Sequence, residues 1–244
     1  MEQIPWYYMW SKSYHLFYEL LKDSVKEPEF TMTPIEVEQS RFDSELYQIQ
    51  GEHFWQGSLI KVDTLLECLK TATDEGKPYI LFTDIDIIVK PGVFAGIKPY
   101  MDDQYDMVFL KEGDHMNIGF LLLRVIPDVI AFWQQIRSLV QESGGLDQSC
   151  VNQTLPGFNG KHTSFDNQIF ACTNTWDRSK PFVVLQLLCS RFGRDQGVEK
   201  ECNMAEKIFS AAQLVNMEPY MKYVDPSIIP FIYKVQEIIV GKTN

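Results

Sequence analysis

Residues 79–89 read YILFTDIDIIV: a short continuous apolar segment stops on two acids, Asp84 and Asp86, and a second apolar run follows at once. An unbroken apolar run of this length predicts a parallel strand buried on both faces, over Tyr79 to Thr83. Strands of that kind belong to α/β domains, in which ligands bind outside the carboxyl ends of the strands. Residues two apart in an extended chain point the same way, so the two carboxylates can converge on one hard divalent cation. Waters and phosphate oxygens would complete its shell. In a chain this acidic roughly one Asp-x-Asp arises by chance, so the pattern alone carries little. Its flanks carry more. Ile80 to Phe82 and Ile87 to Val89 wall the pair with hydrocarbon, where carboxylates are costly unless hydrogen-bonded or metal-bound.

The surrounding periodicity agrees with an alternating chain. Trp6 to Trp10 suits a strand, and Phe17, Leu20 and Leu21 then recur at helical spacing until Pro28. Phe30 to Val37 predicts a second strand, and the polar stretch Glu38 to Gln56 a long loop. Val62, Leu65, Leu66 and Leu69 make one helix face, with Ser58 as its cap and Gly76 at its end. Beyond Pro91-Gly92, Asp106 to Leu110 and Ile118 to Leu123 predict two strands separated by the polar turn KEGDHMN. Pro127 opens a helix with Val129, Trp133, Ile136 and Val140 on one stripe, and Gly144-Gly145 closes it. A loop over Thr154 to Lys161, a strand-like run at Phe182 to Leu188 and a helix around Phe231 to Val240 complete the pattern. The expectation is an α/β fold whose central, mostly parallel sheet is flanked by helices. No linker or charge block divides residues 1–244, which read as a single domain.

Charge narrows the partners. The 244 residues hold 22 Lys+Arg against 33 Asp+Glu, a net charge of −11 that repels a phosphate backbone and an anionic membrane surface. Nucleic acid is therefore not expected as a partner. An anionic ligand must be held by a local device: a metal ion, a helix N-terminus or a few placed cations. The cysteines, Cys68, Cys150, Cys172, Cys189 and Cys202, form no CxxC pair and read as reduced core residues. The first residues do not pattern as a signal peptide, and no apolar run approaches membrane-spanning length. A cytoplasmic location is expected, or the host cytoplasm if the chain is viral.

Three further segments stand in a telling order around the acidic pair: the N-terminal strand and helix, NIGFLLLR at Asn117 to Arg124, and DQSCVN at Asp147 to Asn152. With them the chain resembles the GT-A glycosyltransferases, the DxD-containing nucleotide-diphospho-sugar transferases, from residue 6 to about 172. Its compact, stemless layout is similar to the small GT-A domains of large algal viruses and protists. The resemblance implies a Rossmann-like fold with a nucleotide-binding half over about 1–115 and an acceptor-side half over about 116–244. It implies a metal-dependent hexosyl- or pentosyltransferase that moves a sugar from a nucleotide-diphosphate donor, UDP-linked, to a hydroxyl of a glycan or glycoside.

The same resemblance distributes roles. Asp84 and Asp86 would hold Mn²⁺ or Mg²⁺ against the donor diphosphate. Trp10, Ser11, Lys12 and Tyr14 fall where the family cradles base and ribose, and Lys61 matches a basic residue near the donor. Asn117 would reach the donor sugar and Gly119 would allow close backbone approach; His115 would help with phosphate or metal, or is a turn residue. Asp147 and Gln148 are the catalytic candidates. In a retaining enzyme, the reading preferred here, they would stabilise an oxocarbenium-like transition state. In an inverting one, of rhamnosyl type for example, Asp147 would be the general base. Many retaining members carry a late histidine as third metal ligand, six residues before a Lys-Pro-aromatic segment. Here Asn174 stands six before Lys180-Pro181-Phe182, which leaves His162 as the candidate ligand, with Asp166 and Asn167 as acceptor contacts. A nucleotidyltransferase would carry a Gly-rich phosphate loop after the first strand, and WSKSYHLF has no glycine. A non-catalytic protein that binds carbohydrate or sugar nucleotide on the same fold is the alternative from another class.

Overall fold

The computed structural model describes residues 3–38, 54–188 and 200–241. The chain runs β1 (Ile4–Trp10), α1 (His15–Ser24), β2 (Phe30–Glu36), α2 (Phe54–Asp74), β3 (Tyr79–Thr83) and β4 (Ile87–Val89). It continues through α3 (Val93–Asp102), β5 (Met107–Glu112), β6 (His115–Arg124), α4 (Pro127–Ser143) and α5 (Asp147–Thr154). The last third holds β7 (His162–Ser164), β8 (Phe170–Cys172), β9 (Val184–Gln186), α6 (Lys200–Ala212) and α7 (Ile229–Gly241).

Among the described residues six strands form the main sheet in the order β2-β1-β3-β6-β5-β7. Five run the same way and β6 alone is reversed, because it returns from β5 through a tight turn at Gly113-Asp114. Gly113 takes φ +60°, which its lack of a Cβ permits. The polar turn expected over KEGDHMN is thus much shorter, and Glu112, His115 and Asn117 belong to strands. Three short strands make a second sheet, β4-β9-β8.

Hydrocarbon covers both faces of the main sheet, as the apolar run of β3 requires. Alternate residues face opposite ways: Trp6, Tyr8 and Leu81 join a core with Leu16, Phe17, Leu20 and Leu21 of α1. Tyr7, Ile80 and Phe82 join another with Val62, Leu65 and Leu69 of α2 and Val129, Trp133, Ile136 and Val140 of α4. Trp6 meets Phe30 and Phe120 edge-on and donates its indole N–H to Thr83 Oγ1 at 3.0 Å. That bond satisfies two buried polar groups beside the sheet's carboxyl end. Gly144 closes α4 in the left-handed conformation, φ +62°.

Two local expectations change, and one helix is added. Helix α2 begins at Phe54, so Ser58 lies inside it and sends its hydroxyl to Asp147 rather than capping. Most of the expected loop over Glu38 to Gln56 lies outside the described residues, and its last three residues are helical. Helix α6, whose Ala205, Ile208 and Ala211 are buried at helical spacing, was not anticipated. Among the described residues no helix is long and apolar enough to cross a membrane. Cys68, Cys150 and Cys172 are buried free thiols.

Candidate active site

At the carboxyl end of β3 the chain leaves the sheet under restraint. The Asp84 N–H donates to the Gly119 carbonyl at 2.9 Å, and three residues later β4 pairs with β9. β6 makes this possible. Its pairing with β5 shifts from Phe109↔Leu121 to Leu110↔Asn117, which frees residues 118–120 from β5 beside the acidic turn. The Leu187 N–H donates to the Asp86 carbonyl at 2.8 Å and fixes the other end.

Both acids open on a cavity of about 220 Å³ that Trp10, Ser11, Tyr14 and Lys61 also line. Each carboxylate is matched by an ammonium. Lys61 Nζ stands 2.6 Å from Asp84 Oδ1, and Gln186 Nε2 donates to Asp84 Oδ2 at 3.0 Å. Lys207, from α6, pairs with Asp86 Oδ2 and donates to the Tyr14 hydroxyl at 3.3 Å, with its ammonium 5.2 Å from the ring centroid. Burial pulls the Lys61 pKa down, but the carboxylates of Asp84, Asp147 and Asp86 outweigh it and hold the ammonium above its ordinary value. Burial pushes the Asp84 carboxyl up; Lys61 pulls it back, and the like charge of Asp86 adds to the rise.

A second cluster centres on Glu112 at the end of β5. Asn117 Nδ2 donates to its Oε2 at 2.8 Å, Gln148 Nε2 approaches the same oxygen at 3.4 Å, and Asn174 Nδ2 donates to Oε1 at 2.9 Å. Asn117 then accepts the Gly119 N–H through Oδ1 at 2.7 Å, so its amide is held at both ends. Asp147 opens α5; its Oδ1 accepts from Ser58 Oγ at 3.1 Å and from the Gln148 N–H at 2.9 Å. Asn152 secures α5 to β6, since its side chain exchanges hydrogen bonds with both the N–H and the carbonyl of Met116, at 2.8 and 2.7 Å.

The structure therefore gathers most of the residues singled out in the sequence. Trp10, Ser11, Tyr14, Lys61, Asp84 and Asp86 share the cavity. Asn117 and Gly119 lie on β6 beside Asp84, and Asp147 is close enough to act on the charge of Lys61. Trp10 also stacks on Tyr18, with centroids 4.4 Å apart. Lys12 is exposed in a short 3-10 turn, and His115 is exposed at the start of β6.

His162 is not brought to the acidic pair. It lies on β7, three strands from β3, opposite Met107 at the start of β5 and hence at the far end of the sheet. Its ring packs on Phe158, with Nδ1 3.2 Å from the Gly160 carbonyl oxygen. Asp166 accepts the Gln168 N–H in a local turn, and Asn167 faces a separate depression beside Trp176 and Lys180. Three residues of the site were missed: Glu112, Gln186 and Lys207. The apolar spacing of Met204, Ile208 and Ala211 was the available signal for the helix that carries Lys207.

The donor set suits a hard divalent cation. Two carboxylates face one cavity, and ions such as Mg²⁺ commonly take one or two protein carboxylates and complete their shell with phosphate and water. Among the described residues no group of three or more His, Cys, Asp or Glu side chains is placed to hold a metal, so these two acids would be its protein anchors.

No protein-family model matches the sequence, and no curated protein matches it. Solved structures do resemble the fold. A glycosyltransferase involved in the glycosylation of the major capsid of PBCV-1 superposes with a TM-score of 0.56 at 15% identity, over 80% of this chain and 100% of that one. The apo structure of the bifunctional glycosyltransferase WbbM gives 0.51 at 10% identity, over 91% of this chain and 52% of that one. Mouse xyloside xylosyltransferase 1 gives 0.47 at 12% identity, over 77% and 98%. The chain has a GT-A-like glycosyltransferase fold, a Rossmann-like α/β arrangement with the acidic pair at the carboxyl end of a central strand.

Proposed function

We propose that this protein is a metal-dependent glycosyltransferase that takes a sugar from a UDP-linked donor and passes it to a hydroxyl of a glycan or glycoside. The observation that carries the reading is the shared cavity, where two carboxylates meet an aromatic, polar and cationic wall at the carboxyl end of β3. Asp84 and Asp86 would hold Mn²⁺ or Mg²⁺, which when bound supplies Lewis-acid stabilisation of the leaving diphosphate. Trp10 and Tyr14 offer aromatic faces to the base and Ser11 a hydroxyl to the ribose. Asn117 addresses the donor sugar from β6, its amide oriented by Glu112 and the Gly119 N–H.

Asp147 and Gln148 are assigned to the reacting sugar. The carboxylate of Asp147, with Glu112 behind Gln148, favours the positive charge that develops on the ring as the glycosidic bond to phosphate lengthens. With Asp147 assigned to that charge rather than to deprotonating the acceptor, transfer is read as retaining; as general base the same carboxylate would serve an inverting enzyme. Calorimetric titration with UDP, and separately GDP, in the presence of Mn²⁺ and then of a chelator tests the donor side. Micromolar UDP binding lost on chelation is expected. No binding of either nucleotide under any metal condition would overturn the reading in favour of a structural acidic pair.

A further inference from the structure

Lys207 is 121 residues from Asp86 in the chain, and α6 brings it there. Helix α6 is anchored by the buried residues Ala205, Ile208 and Ala211, which set Lys207 facing the acidic turn. The Lys207–Asp86 side chains are each only 12% exposed, and Lys61 on Asp84 is 16% exposed. Asp84 is 31% exposed at the cavity; two carboxylates and two ammonium groups thus sit together and cancel one another, with the Asp147 carboxylate close enough to act on Lys61. A divalent cation alone would leave these four groups with two excess positive charges. A sugar-linked diphosphate alone would leave two excess negative charges, and both ligands together restore neutrality. Away from bulk water such imbalances cost far more than they would in solution.

Geometry adds a second constraint. A cation that takes Asp84 Oδ1 and Asp86 Oδ2, the oxygens the ammonium groups hold, displaces them, and they then need another anion within reach. Phosphate oxygens arriving with the nucleotide provide it. We propose that Lys61 and Lys207 are the diphosphate-binding cations of this site, held on Asp84 and Asp86 until the donor arrives, so that metal and nucleotide diphosphate bind weakly alone and strongly together. This inference rests on the donor reading above and adds Lys207 and the coupling to it. Linkage makes the coupling reciprocal: whatever factor UDP adds to the Mn²⁺ affinity, Mn²⁺ adds to that of UDP.

The test measures Mn²⁺ binding by the loss of its free electron-paramagnetic-resonance signal, with and without saturating UDP, and UDP binding by calorimetry. In the unaltered protein UDP should tighten Mn²⁺ by tenfold or more. Lys207→Met should act in opposite directions, tightening Mn²⁺ alone and weakening UDP in the presence of Mn²⁺, each by about tenfold, the size of one charge-assisted contact. Lys207→Arg should restore both. If Lys207→Met does not fold, Lys61→Met poses the same question from the other ammonium. Mn²⁺ affinity indifferent to UDP would overturn the proposal, as would a lysine variant that shifts both affinities the same way or leaves both within twofold. In those cases Mn²⁺-dependent UDP binding would still uphold the donor reading. An unaltered protein that binds neither UDP nor GDP with Mn²⁺ present would overturn both.

Discussion

Gly119 and Gln186 divide one space between them: a Cβ on residue 119 would stand 1.9 Å from Gln186 Nε2 and 2.2 Å from its Cδ. The missing side chain on β6 is what lets the β9 amide reach over the sheet and donate to Asp84. Gly119→Ala should therefore evict Gln186 and leave one oxygen of Asp84 without its donor. A hydrogen bond to a charged group is worth about 1.5–3 kcal/mol, so donor affinity should fall about tenfold or more. Calorimetry with UDP and Mn²⁺ checks this, and Gln186→Ala on the unaltered glycine should reproduce most of the loss.

Asp86→Ala should abolish sugar transfer; the backbone keeps its bond from Leu187, but the buried Lys207 ammonium loses its partner, so the melt should fall while the fold persists. Turnover against a panel of UDP-sugars, read beside a circular-dichroism melt, separates the two effects. Turnover equal to that of the unaltered protein would sink the metal mechanism.

Glu112→Ala should cost catalysis more than binding. Its carboxylate orders the amides of Asn117, Gln148 and Asn174 from three different segments, and none of those bonds holds the sheet together. Misplaced amides at a reacting centre lower kcat, here by about tenfold to a hundredfold, with KM for the donor changing far less. A parallel loss of melting temperature would instead mark Glu112 as structural.

Away from the site, Glu27 ends one helix's exposed donors. Its two carboxylate oxygens accept from the N–H groups of Gly92, Val93 and Phe94 at 3.0, 2.9 and 2.8 Å, the open first turn of α3. Glu27→Ala should lower unfolding stability by about 1–2 kcal/mol in urea titrations. Donor binding should be untouched.

Alkaline pH should weaken the fold. Burial pushes Tyr7, Tyr8, Cys68 and Cys172 up to about 12 from ordinary values of 10.0 for tyrosine and 9.0 for cysteine. Between about pH 9 and 12 the unfolded chain gives up these protons while the folded one keeps them. The folded state then binds more protons, so stability falls as pH rises through that window. Urea midpoints at pH 8, 9.5 and 10.5 should decline in order, and the thiols of Cys68 and Cys172 should resist alkylation until the chain unfolds.

What could be read from the sequence, and what could not, follows from the range of each signal. β3 was legible to the residue because a strand buried on both faces reads as an unbroken run, Tyr79 to Phe82 and then the buried Thr83, and the two acids that follow it announce the cavity. Trp10, Tyr14 and Lys61 came from the resemblance to the GT-A glycosyltransferases, and the cavity does gather them. The partners of those acids were not legible. Gln186 and Lys207 meet Asp84 and Asp86 across 102 and 121 residues, and no local pattern records a contact of that span. Glu112 was hidden differently: the polar stretch that reads as a turn is the last two residues of β5 and the first three of β6 around two turn residues. His162 misled because a histidine's chemistry is visible in sequence while its place on β7, at the wrong end of the sheet, is not.

The pairing of Lys207 with Asp86 has a practical side for anyone seeking a minimal fragment. The main sheet is complete by Ser164 and the second sheet by Gln186, so a shortened protein ending soon after β9 would keep every described strand. It would also lose the ammonium that faces Asp86. Such a fragment would keep its strands but uncover the core that Ile208, Ala211, Met217 and Val224 share with α1, and its cavity would be short of one positive charge, so the helices after residue 200 belong to both.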